Sequence, residues 1–295
     1  MNSERVRQFL SRAQEGGLFE GGGCLRVAPR MATEGELLRF HTPEHVRLVK
    51  ELSVRGTGCL DAGDTPAFKG MFEASSFVVG STLNLLELMA EGSLAHGLNP
   101  MGGLHHARRG SAAGFCVFND IGVAIATAKK LGLSPVLYVD MDAHHGDGVF
   151  YSFEDDPEVF IVDLHEDGRF LYPGTGKASE TGSGAAVGTK VNIELQPGAG
   201  DGVFMREFDR AVEEIAERAK PALVVFQCGA DSLGGDPLTH LELTPESHRH
   251  ATTRLAQISH RHSSGRLLAL GGGGYNPANA AEAWLNVASA MADHP

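Results

Sequence analysis

The chain has no run of 18 apolar residues, the length a helix needs to cross a bilayer, so a membrane-spanning helix is excluded and no membrane partner is expected. It holds only four cysteines, Cys24, Cys59, Cys116 and Cys228, and no two of them have Cys-x-x-Cys spacing. They are too sparse for a disulfide scaffold and read as small buried hydrophobes in a reducing compartment. Basic residues are also short, 25 Lys and Arg against 37 Asp and Glu, for a formal charge of -12. Such a balance argues against a broad phosphate-binding surface, and hence against nucleic acid as a direct partner, and favours cationic ligands. The start, MNSERVRQFLSRAQ, reads as an amphipathic helix and lacks the apolar stretch and cleavage site of a signal peptide, so a cytoplasmic protein is expected.

What the chain has in quantity is glycine, 38 of 295 residues, where average usage is about 7%; many turns must take unusual backbone angles. No repeat, low-complexity tract or linker divides it, which predicts a single domain over residues 1–295. Helical periodicity runs over Glu4 to Ala13, then through two short helices, one opened by a Thr33/Glu36 capping box and one by Thr42-Pro43-Glu44, and then over Ala67 to Glu91. Further helices are predicted over Asn119 to Leu131, Gly202 to Ala219, Pro245 to His262 and Ala278 to Met291. Between them lie strands at Val136 to Val139, Val159 to Val162, Lys190 to Leu195, Leu223 to Phe226 and Leu267 to Leu270. These are apolar runs without clean alternation, as expected when helices cover both faces of a mostly parallel sheet. The expected fold class is therefore α/β, in three αβα layers.

In such sheets ligands bind beyond the carboxyl ends of the strands, and the polar residues gather there. VLYVD is followed by Met141-Asp142-Ala143-His144-His145-Gly146-Asp147, LVVFQ by Cys228-Gly229-Ala230-Asp231, and LLAL by Gly271 to Gly274 and Tyr275. Asp142 and His144 stand two apart in an extended segment, so their side chains point the same way, and Asp231 is the natural third ligand from another strand end. One imidazole and two carboxylates suit Zn²⁺ or another first-row divalent ion. The loop Gly102-Gly103-Leu104-His105-His106 adds tandem histidines, with Asp140 and Asp147 available to fix their tautomers and raise their basicity. A histidine so tuned can act as a general base towards water. The Gly271 to Gly274 run lets backbone approach a ligand closely and delivers the Tyr275 phenol, which could donate a hydrogen bond to an oxyanion.

Together GGLHHARRGSAAGFCVFND, VLYVDMDAHHGDG, DLHEDGRFLYPGTG, QCGADSLGGDPL and LALGGGGYN, in this order and spacing, resemble the histone deacetylase family of the arginase-deacetylase fold. The likeness is greatest to its bacterial acetoin-utilisation-type members and covers nearly the whole chain from about Ser3. The resemblance implies Zn²⁺, or Fe²⁺ in some members, on Asp142, His144 and Asp231; His106 as general base with His105 as its electrostatic partner; Asp140 and Asp147 behind them; and Tyr275 polarising the amide carbonyl. By the same resemblance Phe115 and Tyr172 wall the channel for a lysine stem, where the family often has two phenylalanines. Asp64 would bind substrate backbone amides at the rim, and Gly114, Gly273 and Leu238 would complete the tunnel. A structural K⁺ would lie on oxygens of Asp140, Asp142, His144, Asp163 and Leu164; most relatives carry serine at the position of Asp163. Relatives usually begin with a strand and a loop before the helix that starts here at about Glu4; whether this start is late or the sheet is smaller, an exposed sheet edge that invites dimerisation or lowers solubility is expected.

The activity so implied is hydrolysis of N-acetyl amides, in the first place ε-N-acetyl-lysine of proteins or peptides, with acetylpolyamines or other small acetylated amines as the alternative. The ureohydrolases of the same fold hold a second metal through aspartates where this chain has Gly146 and Leu233. A catalytically silent scaffold is disfavoured because every catalytic residue type is present. The histidines His41, His45, His96, His240, His248, His250, His260, His262 and His294 have no metal spacing and are expected at surface or helix positions, with His165 in a packing or supporting role.

Overall fold

A computed structural model describes residues 3–20 and 23–294. Residues 1, 2, 21, 22 and 295 of the expected 1–295 span lie outside the described residues. Among the described residues six strands form one sheet: β1 (His96–Asn99), β2 (Val136–Asp140), β3 (Val159–Glu166), β4 (Lys190–Leu195), β5 (Leu223–Gln227) and β6 (Leu267–Leu270). Their spatial order is β1-β6-β5-β2-β3-β4, and every neighbouring pair is parallel. The chain steps outward from β2 through β3 to β4, then returns to the other side of β2 with β5 and β6. The order therefore reverses between β2 and β5, and at that point the loops leaving the two strands part and open a crevice.

Side chains alternate between two buried layers. Leu137, Val139, Phe160, Val162, Val224 and Phe226 pack with α1 (Glu4–Glu15), α7 (Asp201–Ala219), α8 (Pro245–His262) and α9 (Pro277–Ala292). On the other face Val136, Tyr138, Val159, Ile161, Leu223 and Val225 pack with α2 (Glu34–Leu37), α3 (Pro43–Arg55), α4 (Met71–Ala90), α5 (Asp120–Lys130) and α6 (Asp147–Ser152). Because both faces are covered, the strands need apolar residues at every position, which accounts for their unalternating sequences. The three-layer α/β architecture is as the sequence predicts. No helix among the described residues is long and apolar enough to cross a membrane.

The helix starts follow local chemistry. Thr33 and Glu36 form the expected reciprocal capping box, and Thr42 caps α3 with Pro43 in its first turn. Four elements depart from expectation. Helix α4 begins at Met71 instead of Ala67, because Gly70 takes a left-handed conformation (φ 85°) that ends the preceding loop. Strand β3 runs past Val162 to Glu166, which puts Asp163, Leu164 and His165 inside the sheet. Strand β1 and the six-residue α6 were not expected at all: His96-Gly-Leu-Asn has no β-branched residue, and α6 carries a glycine in its first turn. Strands β1 and β4 form the two edges.

Candidate active site

The crevice between β2 and β5 gathers the three expected metal ligands. One donor atom each from Asp142, His144 and Asp231 lies within 4.8 Å of the other two, and all three residues are buried. Nδ1 of His144 stands 3.1 Å from Asp142 Oδ1 and 3.1 Å from Asp231 Oδ2. The other carboxylate oxygens are tied to the protein: Asp142 Oδ2 accepts from Gln227 Nε2 (2.7 Å) and the Gly273 amide (2.8 Å), and Asp231 Oδ1 from the Ala143 amide (3.0 Å). Each carboxylate is thus held in orientation and keeps one oxygen for the shared point. Burial works against a charged imidazole at His144, yet hydrogen bonds to Asp142 and Asp231 outweigh it and raise its pKa to about 10. Burial and then the charge of Asp142 raise Asp231 to about 6. Two buried acids in contact call for a cation, and this donor set fits a divalent ion such as zinc.

Beside the ligands lie the tandem histidines. His105 Nδ1 meets Asp140 Oδ2 at 2.8 Å, and His106 Nδ1 meets Asp147 Oδ1 at 2.8 Å. Both Nδ1 atoms donate to carboxylates, and the two Nε2 atoms lie 3.2 Å apart on the side of the ligands. Their environments push them in opposite directions. Burial disfavours the charged form of each, but Asp140 and Asp142 lift His105 to about 10, whereas His106, repelled by the charge on His105, falls to about 4 despite Asp147. His106 is therefore the neutral member, and its ring packs 5.8 Å from that of His144. A pair whose proton affinities are driven apart is suited to divide acid and base work.

The histidine loop is braced by residues that sequence reasoning missed. Asp120 accepts from the Gly103 and Leu104 amides and from Thr82 Oγ1, and Asn119 Nδ2 donates to the Ala107 carbonyl at 2.8 Å. The Tyr138 hydroxyl donates to Asp140, and Gln227 Nε2 reaches both Asp142 and the Gly103 carbonyl. Arg5, 2% exposed, donates to the Gly272 and Gly274 carbonyls at 2.8 and 3.2 Å and fixes the turn that presents Tyr275. Asp236 accepts the Tyr275 amide at 2.8 Å. Asn119 and Asp120 could have been found as cap and first-turn acid of α5, but a side chain at position 5 carries no local sign of a contact more than 260 residues away.

Of the residues expected to line a tunnel, Gly114, Gly273 and Tyr172 come close to the histidines and ligands, and Phe115 faces Tyr275. Gly114 lies at φ 52°, and a Cβ there would stand 2.4 Å from His106 Cδ2; at Gly273 a Cβ would stand 1.9 Å from Asp231 Oδ2. Phe115 is itself left-handed (φ 65°), a costly backbone for a bulky residue, and its half-exposed ring faces Tyr275 at 5.9 Å. The Tyr172 ring lies 5.1 Å from His106 and 6.4 Å from His144. Leu238 is exposed, its amide bonded to Asp236. Asp64 is exposed on a loop pinned by the neighbouring Asp61, which accepts from the Gly63 and Thr65 amides. Burial and then Asp231 and Asp142 push the Tyr275 hydroxyl well above the ordinary phenol range, so it stays a donor.

Asp140 and Asp163 are register partners in β2 and β3, with Asp142, His144 and Leu164 alongside. Asp163 is fully buried and already takes two donors, His165 Nδ1 at 2.7 Å and the Gly146 amide at 2.9 Å. The expected surface or helix positions hold for His45 in α3 and His248 in α8, although both are buried, and fail for His41, buried outside any helix, and for His96, which is half-buried in β1. His41, His45 and His248 are buried, bonded respectively to the Asn119 amide and to the carbonyls of Val117 and Gly229, because each supplies a polar contact to a loop that leads into the site.

A parallel α/β sheet with a carboxylate-imidazole cation site at its switch point, flanked by paired His-Asp couples, defines a metal-dependent hydrolase. The particular class follows from likeness to known proteins: residues 1–291 match the histone deacetylase domain family, to which the chain belongs. It is 39% identical to the acetoin utilization protein AcuC of Bacillus subtilis (strain 168), over 97% of this chain and 76% of that protein. It is 35% identical to AcuC of Staphylococcus aureus (strain MSSA476), over 91% of this chain and 71% of that one. The crystal structure of the HDA15 HD domain superposes with a TM-score of 0.90 at 31% identity, covering 99% of this chain and 81% of that one. The chain is a deacetylase, a hydrolase of acetylated substrates.

Proposed function

We propose that this deacetylase hydrolyses the ε-N-acetyl amide of lysine in proteins or peptides, releasing acetate, with Zn²⁺ held by Asp142, His144 and Asp231. The observation that carries the reading is the Asp147-held His106 imidazole set beside the three convergent ligands and against the Tyr172 ring. Zn²⁺ in that position, or Fe²⁺ on the same ligands, supplies a Lewis acid that polarises the amide carbonyl and makes water more acidic. His106 takes a proton from the attacking water at Nε2, while Asp147 holds Nδ1 and stabilises the imidazolium that forms. Tyr275 donates to the oxyanion of the tetrahedral intermediate. The C–N bond then breaks, and the histidine pair returns the proton to the departing amine.

The Phe115 ring beside Tyr275 and the Tyr172 ring beside His106 would wall a channel for an unbranched methylene stem, and Asp64 on its exposed loop can accept backbone amides of a peptide, which supports a peptide over a small amine. A K⁺ behind the site, on oxygens of Asp140, Asp142, His144, Asp163 and Leu164, belongs to the same proposal; here the Asp163 carboxylate adds charge that His165 already offsets. Rates measured side by side on an acetyl-lysine peptide and on N-acetylputrescine test the substrate class. We expect a higher kcat/KM on the peptide, and a lower kcat/KM after Asp64→Ala. Faster turnover of N-acetylputrescine would make this a small-amine deacetylase instead.

A further inference from the structure

The two His-Asp couples are not built alike. Asp140, behind His105, is fully buried and takes its further donors from the Tyr138 hydroxyl and the Asp142 amide, both neutral. Asp147, behind His106, is 2% exposed, yet its second oxygen meets a guanidinium that is half in solvent: Arg108 Nη2 donates to Asp147 Oδ2 at 3.0 Å, with the arginine side chain 53% exposed. The His106 couple is thus the one wired to the surface.

Arg108 is itself held from several sides. Its amide donates to the Ser111 carbonyl at 2.9 Å, and the preceding residue is fixed by Asn119 through the Ala107 carbonyl. Its guanidinium lies 6.0 Å from the ring centroid of Tyr151, which stands in α6, the helix that Asp147 begins. Tyr151 is in turn anchored by its hydroxyl to Glu180 Oε2 at 2.6 Å. The arginine therefore clamps the start of α6 against the histidine loop and leaves the Asp147 carboxylate one orientation, with Oδ1 towards His106 Nδ1 and Oδ2 towards the guanidinium.

We propose that Arg108 is a positioning residue for the deacetylation, holding Asp147 so that His106 keeps the tautomer and ring angle that present Nε2 to the reacting water. A carboxylate with a charged partner on one oxygen stays ionised and cannot swing, whereas one bonded to His106 alone can rotate about its Cβ–Cγ bond and carry the imidazole with it. Arg108 touches neither substrate nor the metal ligands in this role; it acts through Asp147. The inference rests on the reading of His106 as the base.

The test measures steady-state rates on whichever acetylated amine the metal-loaded wild-type protein cleaves, with thermal melting of each variant as a fold control. For Arg108→Ala we expect kcat to fall about tenfold or more with KM within about twofold, as for other groups that orient a reacting residue from behind. Arg108→Lys, which restores a cation, recovers most of the loss; Arg108→Gln, which keeps a donor of similar length without charge, recovers little and serves if the alanine variant melts early. In an Asp147→Asn background, Arg108→Ala costs less than about twofold more, because the two act as one unit. Unchanged kcat, a rise in KM alone, or an undiminished loss in the Asp147→Asn background would each overturn the proposal. The reading beneath it is checked separately: a His106→Ala variant that stays active removes the base assignment, whereas an inactive His106→Ala beside a fully active Arg108→Ala removes the Arg108 role alone.

Discussion

In the proposed reaction His106 and Tyr275 carry the chemistry, and their hydrogen bonds go elsewhere than to the ion-binding atoms: His106 bonds to Asp147 and His105, and the Tyr275 amide to Asp236. Removing either should therefore leave the cation site assembled. Tyr275→Phe is expected to lower kcat by about 10²–10³, the usual cost of one oxyanion donor, and His106→Ala by about 10²–10⁴, the usual worth of a positioned base, with metal content unchanged in both. Rates on a cleaved acetyl substrate together with metal analysis check this, and near-normal turnover in either variant contradicts the assignment.

At the scale of elements, β3 adds a prediction about stability. Asp163 and His165 alternate along the strand and close a buried ion pair, with burial opposing both charges, but His165 and the Gly146 amide lowering the pKa of Asp163, and Asp163 raising that of His165. The lowered acid contributes stability above its unfolded value and loses it as pH falls through its folded value; the raised imidazole contributes below its unfolded value and loses it as pH rises through its folded one. The pair therefore contributes fully between roughly pH 4 and pH 6.5. Asp163→Ala leaves His165 without its acceptor and should cost about 3 kcal/mol in urea unfolding within that window; a loss that does not vary with pH would contradict the pair. The same strand shows where the sequence is readable. Asp142-x-His144 and Asp231 could be placed because strand ends and period-two geometry are local rules, and the apolar runs of β2, β5 and β6 mark those ends. The continuation of β3 through Asp163 and His165 was hidden because buried charges in a strand look like a loop until their partners are known. Arg5, Gln227 and Arg108 were missed for the same reason: each owes its place to contacts made only after the chain has folded.

For the molecule as a whole, the decisive feature is topology. The reversal of strand order between β2 and β5 brings residues 142 and 231 to adjacent strand ends, and two helical layers seal both faces so that polar side chains are tolerated chiefly at that rim. In the proposed reaction everything functional follows from a single cation at this point. The most direct test is the metal content of purified protein alongside its deacetylase rate, for wild type and for Asp231→Ala. The account predicts one zinc-type ion per wild-type chain, activity abolished by chelation and restored by Zn²⁺, and an Asp231→Ala variant that loses both ion and turnover. Two manganese ions per chain, or an Asp231→Ala variant that keeps its metal and its rate, would contradict it.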